Sequence, residues 1–392
     1  MFDLQRAQSY MGENGIDAWL VYDFRGSNPV MWQLLGWRKP TTRRCFMLVP
    51  RQGEPKLLVH AVDREPFSDA KFATKLFVSH QDMHAWLKEN LSGRERVAME
   101  YSPLGAIPIM SWVDGGTLDL VRSLGVEVVS SANVFQVAVA AWDWAGLESH
   151  LSACREVAEV KDIAFEFIRR AIREGGTPTE YDVQQCIVRE FENRNMETQE
   201  AAIVAVNQNS RNPHYWPTQE RNSPIRHGDW VLIDLWARHP GERNVFADIT
   251  WVGYVGDRVP SRFQGVFDVV KTARDLVVAR VAEAWRKGER LQGWQLDAVA
   301  REYIARAGYG QYFSHRTGHS LGPGPTLHAL GVNLDDLETH DTRDVLPGIG
   351  FSVEPGIYLR DFGVRLEINV YIDPAEGPKV TTAPQDEIVL LA

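Results

Sequence analysis

The stretch VLIDLWARHPGERNVFADITWV, residues 231–252, decides how this chain is read. Two apolar runs, each broken by a single aspartate, Asp234 and Asp248, flank a polar turn that contains Pro-Gly. The pattern predicts a β-hairpin that sets the two carboxylates side by side across its ladder. Like charges directly opposite are destabilising unless a cation lies between them, and an isolated buried carboxylate is costlier still. The plain alternative is a pair of unrelated turn or edge aspartates. Against it, the same oddity recurs downstream. Glu354 in FSVEP (351–355) and Glu367 in RLEINVYI (365–372) also interrupt apolar runs. His319 lies in HRTGHSLG (315–322), where glycines on both sides permit close backbone approach to a bound group. Four buried acids and one imidazole have an obvious common partner, a pair of divalent cations. This hard, oxygen-rich set suits Mn²⁺, Co²⁺ or Zn²⁺ better than a thiolate-preferring metal. Two such ions can hold a hydroxide at neutral pH and brace both sides of a hydrolytic transition state.

The rest of the chain frames this constellation. Its 392 residues exceed what one hydrophobic core usually supports, so two domains are expected. A net charge of −10 argues against a general nucleic-acid binder. The N-terminus MFDLQRAQSY has no apolar core of a signal peptide, and no run approaches the length of a membrane-spanning helix. Cys45, Cys154 and Cys186 have neither disulfide-framework nor zinc-site spacing, which fits a reduced, cytoplasmic compartment. Thirteen tryptophans are many, and some are expected to line a cleft or an interface.

The first third alternates strand and helix signals. Strands are expected in DAWLVYDF (17–24), RCFMLVP, KLLVHAV, TKLFVSH and RVAMEYS, the second and third forming a hairpin around Arg51-Gln52-Gly53-Glu54. Helices are expected in MHAWLKENL and TLDLVRSLG, giving a small α/β domain. From Leu147 to Arg173 the apolar positions recur at helical spacing. Thr177-Pro178-Thr179-Glu180 reads as a capping box with Pro at the first helical position. Strands follow near 201–207, 230–237 and 246–254, then two amphipathic helices, VFDVVKTARDLVVARVAEAW and WQLDAVAREYIARAG. The tail from 349 to 391 reads as antiparallel strands. The fold class expected is α+β, with domains 1–145 and 146–392, and all five proposed ligands lie in the second.

Taken in order, VLIDLW, FADITW, HRTGHSLG, FSVEPGIYL and GVRLEINV resemble the pita-bread metallopeptidases, the family of prolidase, aminopeptidase P and methionine aminopeptidase, which also contains creatinase. The resemblance covers about 150–392, and the first domain is similar to the smaller N-terminal domain of the prolidase, aminopeptidase P and creatinase branch. It implies a C-terminal pita-bread fold and two divalent ions per chain, Mn²⁺ foremost. It implies that Asp234 chelates one ion, that Asp248 and Glu367 bridge both, and that His319 and Glu354 complete the other. A metal-bridging hydroxide would be the nucleophile and Glu354 its general base. His214, in NPHYWP, and His328 resemble the outer histidines that hold the scissile peptide. Arg365 resembles the arginine that orients ligands, and His315 a substrate-side histidine. Two departures stand out. The aspartates are further apart than is usual in the family, which implies a longer hairpin tip, and an insertion in GPGPT between His319 and His328 implies a remodelled loop.

The activity so implied is hydrolysis of a peptide bond next to proline, as an Xaa-Pro aminopeptidase or dipeptidase, by a cytoplasmic homodimer or higher oligomer. The alternatives are a creatinase-like amidinohydrolase and a non-catalytic pita-bread binding module. Both have lost the metal ligands in the family, and all five are present here. Arg25, Arg38, Arg43 and Arg44 are either plain surface or a means of binding the free carboxylate of a dipeptide. His340 is given no role.

Overall fold

The computed structural model describes residues 2–392. The chain divides into two compact units, the first ending at Ala140 and the second running Ala141–Ala392. The sequence-based boundary at 145/146 lies in the first turn of the helix Trp144–Arg173, whose N-cap is Asp143.

The first unit is built on six strands: β1 (Ala18–Phe24), β2 (Arg44–Pro50), β3 (Lys56–His60), β4 (Ala73–Phe77), β5 (Arg96–Met99) and β6 (Glu127–Ser130). They form one mixed sheet in the order β4-β3-β2-β1-β5-β6. The β2–β3 hairpin is antiparallel, as expected, and its turn places Gly53 at φ 94°, a conformation open to glycine at no steric cost. Helix His80–Leu91 starts at a capping box in which Ser79 and Asp82 satisfy each other's backbone amides.

The second unit carries the candidate site. Its strands are β7 (Ile203–Val206), β8 (Trp230–Ala237), β9 (Ala247–Tyr254), β10 (Ser320–Leu321), β11 (Gly350–Val353), β12 (Gly356–Tyr358), β13 (Gly363–Arg365), β14 (Ile368–Asp373), β15 (Gly377–Val380) and β16 (Val389–Leu390). They form two four-stranded sheets, β16-β9-β8-β7 and β10-β11-β14-β15, and the β12–β13 hairpin. The fold is α+β, with helices Trp144–Arg173, Glu180–Asn193, Ser261–Lys287 and Gly293–Arg306 packed on the sheets.

Period-two alternation in β8 divides the interior into two cores. Val231, Ile233, Leu235 and Ala237 pack with Val157, Phe165, Ile187 and Phe191 of the first two of these helices. Trp230, Leu232 and Trp236 face the other way, into a core with Phe267, Val270 and Leu296 of the last two. Asp234 shares the parity of this second face, as Asp248 and Thr250 share that of Val252 on β9. The sheet therefore turns its carboxylates toward the side where the tail strands lie.

Three local expectations need correction. The two aspartates do not oppose each other: Asp234 pairs with Thr250 and Asp248 with Trp236. They are diagonal neighbours on one face, because the hairpin turns at a residue sum that puts a threonine and a tryptophan in the opposing places. Diagonal placement lengthens the distance between the charges. The cap of helix Glu180–Asn193 is Thr179 with Asp182, not Thr177 with Glu180. The Pro178 carbonyl accepts from the Ile225 amide at 2.7 Å, so Pro178 lies before the helix. Glu180 is thereby free to accept from Val206 N, Asn209 Nδ2, Tyr215 OH and Ser223 N in the interior. Finally, β16 is not antiparallel: it pairs in parallel with β9, Val389 beside Gly253.

Candidate metal centre

Each proposed ligand sits at a strand or a strand end. Asp234 is in β8 and Asp248 in β9, His319 precedes β10, Glu354 follows β11, and Glu367 lies between β13 and β14. The backbone ties these ends together. Ser352 N donates to His319 O at 2.8 Å, Glu354 N to Thr317 O at 2.7 Å and Glu367 N to Thr250 O at 3.2 Å. Asn369 clamps Asp248 from behind, accepting from its amide at 2.9 Å and donating to its carbonyl at 2.7 Å. Gly318 is required here: a Cβ on it would stand 2.0 Å from the Ser352 carbonyl oxygen.

One cavity of about 640 Å³ is lined by all nine residues singled out in the sequence: His214, Asp234, Asp248, His315, His319, His328, Glu354, Arg365 and Glu367. Trp216 and Trp236 also line it, so two of the many tryptophans serve a cleft. His340 is not part of this wall. Its Nδ1 meets Asp336 Oδ1 at 2.6 Å and its ring lies 5.0 Å from that of Trp294. In the first unit, Arg38 donates to the Gly26 carbonyl and Arg43 to that of Thr42.

Within the cavity, Asp248, His319 and Glu367 bring one ligand atom each to within 4.8 Å of one another. His319 Nδ1 faces the Ser320 carbonyl at 3.2 Å, which suits a proton on that nitrogen. Its Nε2 then offers a lone pair toward Asp248 Oδ2 at 3.2 Å, Glu354 Oε1 at 3.6 Å and Glu367 Oε1 at 4.0 Å. Asp234 Oδ1, Asp248 Oδ1 and Glu367 Oε1 are buried and have no hydrogen-bond partner. Buried oxygens are ordinarily satisfied, and orphans of this kind call for an explanation. Hard oxygens around an imidazole fit a divalent cation, which would satisfy all three.

Protonation follows the same logic. Burial raises the pKa of Asp248 and Glu367 well above the carboxylate range, reinforced at Asp248 by the Asp234 and Glu354 charges and at Glu367 by those of Asp248, Glu354 and Asp234. Burial also raises Asp234, opposed by Arg365. Glu354 is pushed up to about 7 by burial, again opposed by Arg365. His319 is driven well below the usual histidine value by burial and by the neighbouring His328 and Arg316 charges. Burial lowers His328 to about 4 and His315 to about 3. Around these acids the imidazoles are neutral, the state in which they can ligate a metal or accept a proton.

Arg365 is the hub of the supporting shell. Its guanidinium pairs with Asp234 Oδ2, donates to Thr250 Oγ1 at 3.0 Å and Tyr358 OH at 3.1 Å, and stands 3.8 Å from Glu354 Oε2. Thr250 passes the contact on to Glu367 Oε2 at 2.9 Å, and Tyr358 OH lies 2.7 Å from His315 Nε2. Thr250 and Tyr358 were not singled out in the sequence. The available signals were that Thr250 shares a strand face with Asp248 and that Tyr358 follows Glu354 in the same run. His328 stacks near His319 with ring centroids 4.1 Å apart, and His214 lies 6.0 Å from the Trp216 ring. The two segments where the spacing departs from the family meet: Arg238 in the hairpin tip donates to the Gly324 carbonyl in the GPGPT loop.

Comparison with known proteins agrees with this geometry. The model of metallopeptidase family M24 matches residues 152–374. The chain is 32% identical over 206 residues to an Xaa-Pro dipeptidase of Lactobacillus helveticus, which is 52% of this chain and 50% of that protein. It is 26% identical over 371 residues to the probable dipeptidase PepE of Mycobacterium tuberculosis (strain CDC 1551 / Oshkosh), covering 91% and 88% of the two chains. The match to the Lactobacillus relative thus spans about half its length. Among solved structures, dipeptidase PepE from Mycobacterium ulcerans superposes with a TM-score of 0.67 at 21% identity, covering 99% of this chain and 96% of that one. A prolidase from Thermococcus sibiricus gives 0.58 at 22% identity over 99% and 98%. These likenesses establish the pita-bread fold with its preceding N-terminal domain, and the matched segment carries the whole carboxylate–histidine cluster: the chain belongs to metallopeptidase family M24.

Proposed function

We propose that this protein is a dinuclear metallopeptidase that hydrolyses peptide bonds next to proline. The observation that carries the proposal is the convergence of three unpartnered buried carboxylate oxygens on the cavity that His319 Nε2 also faces. Asp248 and Glu367 would bridge two ions, Asp234 would chelate one, and His319 with Glu354 the other. Such ions supply Lewis acidity and a deprotonated water at neutral pH. Glu354, with its pKa near 7 from burial, suits the acceptance of a proton from water and its return to the leaving amine. Arg365 holds Asp234 in place and, through Thr250, Glu367. His214 and His328 would offer ring nitrogens to a peptide carbonyl, and His315, held by Tyr358 and the Arg316 carbonyl, lines the cavity beside them. Pro213, Trp216, Ile203 and Leu327 give the cavity an apolar wall that suits a pyrrolidine ring.

The proline preference is supported by the names of several relatives, among them the Xaa-Pro dipeptidases of Lactobacillus helveticus and Pyrococcus furiosus. Manganese as the ion, a homodimer as the assembly and the cytoplasm as the compartment belong to the same proposal. The hard donor set favours the first. Three buried free cysteines suit a reducing compartment, and no described helix is long and apolar enough to cross a membrane.

The test is kcat/KM on paired Xaa-Pro and Xaa-Ala peptides, with metal content measured on the same sample. Bound metal near two ions per chain and strong preference for proline are expected, since an underfilled pocket misplaces the scissile bond. Equal rates on the pair would remove the proline specificity, and a protein without bound metal after loading would remove the hydrolase.

A further inference from the structure

Buried and half-buried tryptophans of this protein mostly pair their indole N–H. Trp19 donates to Glu100 Oε1 at 2.6 Å, Trp142 to the Leu321 carbonyl at 3.0 Å, Trp216 to that of Ala201 at 2.9 Å and Trp230 to that of Gly363 at 2.8 Å. Trp32, in the first unit, and Trp236 do not. Trp236 is 6% exposed, lines the cavity of the carboxylate–histidine cluster, and holds a buried Nε1 with no acceptor. Burial removes water as a partner, so such an N–H costs stability unless a bound group supplies the acceptor. Trp236 stands across the β8–β9 ladder from Asp248 and two residues along the same face from Asp234, positions a few ångströms apart. On its other side runs the segment from the Glu197–Arg238 bridge into β7, which carries Gln199. Gln199 also lines the cavity. Its Oε1 accepts from the Leu327 amide at 2.6 Å, which leaves Nε2 as the half of the amide with no acceptor among the described residues. This bond and that of Arg238 to Gly324 tie the wall to the GPGPT loop, where the spacing departs from the family.

We propose that Trp236 is a specificity-determining residue whose indole N–H, together with the Gln199 amide, binds a neutral oxygen acceptor on the side chain of the residue before proline. The site is thereby fitted to a hydroxyl or carboxamide side chain there rather than to an apolar one. This rests on the peptidase function proposed above and adds the preceding residue to it. The pyrrolidine ring carries no acceptor, and the scissile carbonyl is common to every substrate. The group that varies, one residue from the scissile bond, is the side chain of the preceding residue. Charge decides between a neutral acceptor and a carboxylate. Outside the cluster and Arg365, the acids and arginines of the wall are Glu200, Glu338 and Arg316, none of them in an ion pair among the described residues. Two carboxylates against one free guanidinium disfavour an acidic side chain. Glu200, next in the chain to Gln199, adds an acceptor to the two donors, which suits groups that both accept and donate.

The experiment measures kcat/KM of the metal-loaded protein and its Trp236→Phe variant on shape-matched pairs: Thr-Pro with Val-Pro, Asn-Pro with Leu-Pro, and Asn-Pro with Asp-Pro. The wild-type protein is expected to prefer Thr over Val and Asn over Leu by about fivefold or more, and Asn over Asp. Trp236→Phe keeps an aromatic ring and removes the N–H. It lowers the polar member of the first two pairs more than the apolar one, so both ratios fall toward one. A second measurement needs no variant: by calorimetry, a Thr-Pro analogue whose scissile carbonyl is replaced by a methylene binds the wild-type protein more tightly than its Val-Pro counterpart. Wild-type ratios near one, or ratios unchanged in Trp236→Phe, overturn the proposal. So does an equal loss on every peptide with weakened metal binding, which would assign the indole to Asp248. Asp-Pro outrunning Asn-Pro also overturns it, since the acceptor would then be a carboxylate. Turnover without discrimination at the residue before proline would leave the peptidase standing while this proposal fell; absence of turnover on every peptide would remove both.

Discussion

Asp248 shows how a single residue trades stability for function. Its carboxylate is buried, one oxygen is without a partner, and burial and the nearby acids raise its pKa well above the usual range. A charge in such a place weakens the metal-free fold and strengthens it once a cation arrives. Asp248→Asn keeps the shape and removes the charge. The metal-free variant is therefore expected to melt at a higher temperature than the metal-free parent, by about 1–3 kcal/mol in stability. It should also lose most of the thermal gain on adding Mn²⁺. Thermal melts with and without the ion check both halves; a metal-free variant less stable than the parent would contradict the account. The acids themselves were legible in the sequence because an aspartate in VLIDLW is anomalous by its neighbours alone. Thr250 and Tyr358 were not, since a threonine in a strand and a tyrosine near a turn are ordinary, and only their contacts with Arg365 make them part of the site.

At the scale of elements, the site is a meeting of strand ends. The chain crosses itself where Gly318 passes the Ser352 carbonyl, and that crossing sets His319 opposite Glu354. Gly318→Ala forces a Cβ into a backbone oxygen that has no room to retreat. The expected result is a loss of at least ~1–3 kcal/mol of stability together with weaker metal binding, because His319 is carried along. Denaturant unfolding of the variant tests the first and metal titration the second. Wild-type values in both would mean that the loop relaxes freely. Strands and helices of this unit were readable from periodicity, β8 and β9 to within a residue. Register was not. A hairpin drawn from the pattern puts the aspartates face to face, but the pairing of Asp234 with Thr250 is set by how the turn from Arg238 to Phe246 is anchored.

For the whole molecule the cluster makes stability depend on pH and metal together. Glu354 has a folded pKa of about 7 against an ordinary value of 4.5, and Asp248 and Glu367 are raised in the same sense. At these carboxylates the metal-free fold binds more protons than the unfolded chain, so their contribution to stability falls as pH rises from about 4.5 through 7, by up to ~1.4 kcal/mol per pH unit for each extra proton, while His315, His319 and His328, lowered by burial, act oppositely below 6.5. Glu100, in the first unit, is also raised to about 7 by burial and adds the same sign. His150, lowered to about 4 by burial, acts oppositely below its ordinary value of 6.5. Neither touches the cluster, so both cancel in the difference between metal-loaded and metal-free protein. That difference in melting temperature is expected to widen steadily from pH 5 to pH 7.5, with protons released on metal binding. A gain independent of pH would mean that the carboxylates are already ionised without the ion.

What the sequence determined by itself was composition of matter at the site: which acids and which histidines, on what kind of element, in what order. Local hydrophobic context carries that information, because a carboxylate inside an apolar run is expensive wherever the strand is placed. The register of the hairpin, the cap at Thr179, the parallel pairing of β16, the Arg365–Thr250–Tyr358 shell and the free guanidinium of Arg316 were decided by tertiary structure. Apart from the local Thr179–Asp182 cap, beside which Pro178 is held by the Ile225 amide, each depends on groups far away in the chain, and a residue's own neighbours in sequence hold no record of which distant group will fill, or leave open, its hydrogen bonds.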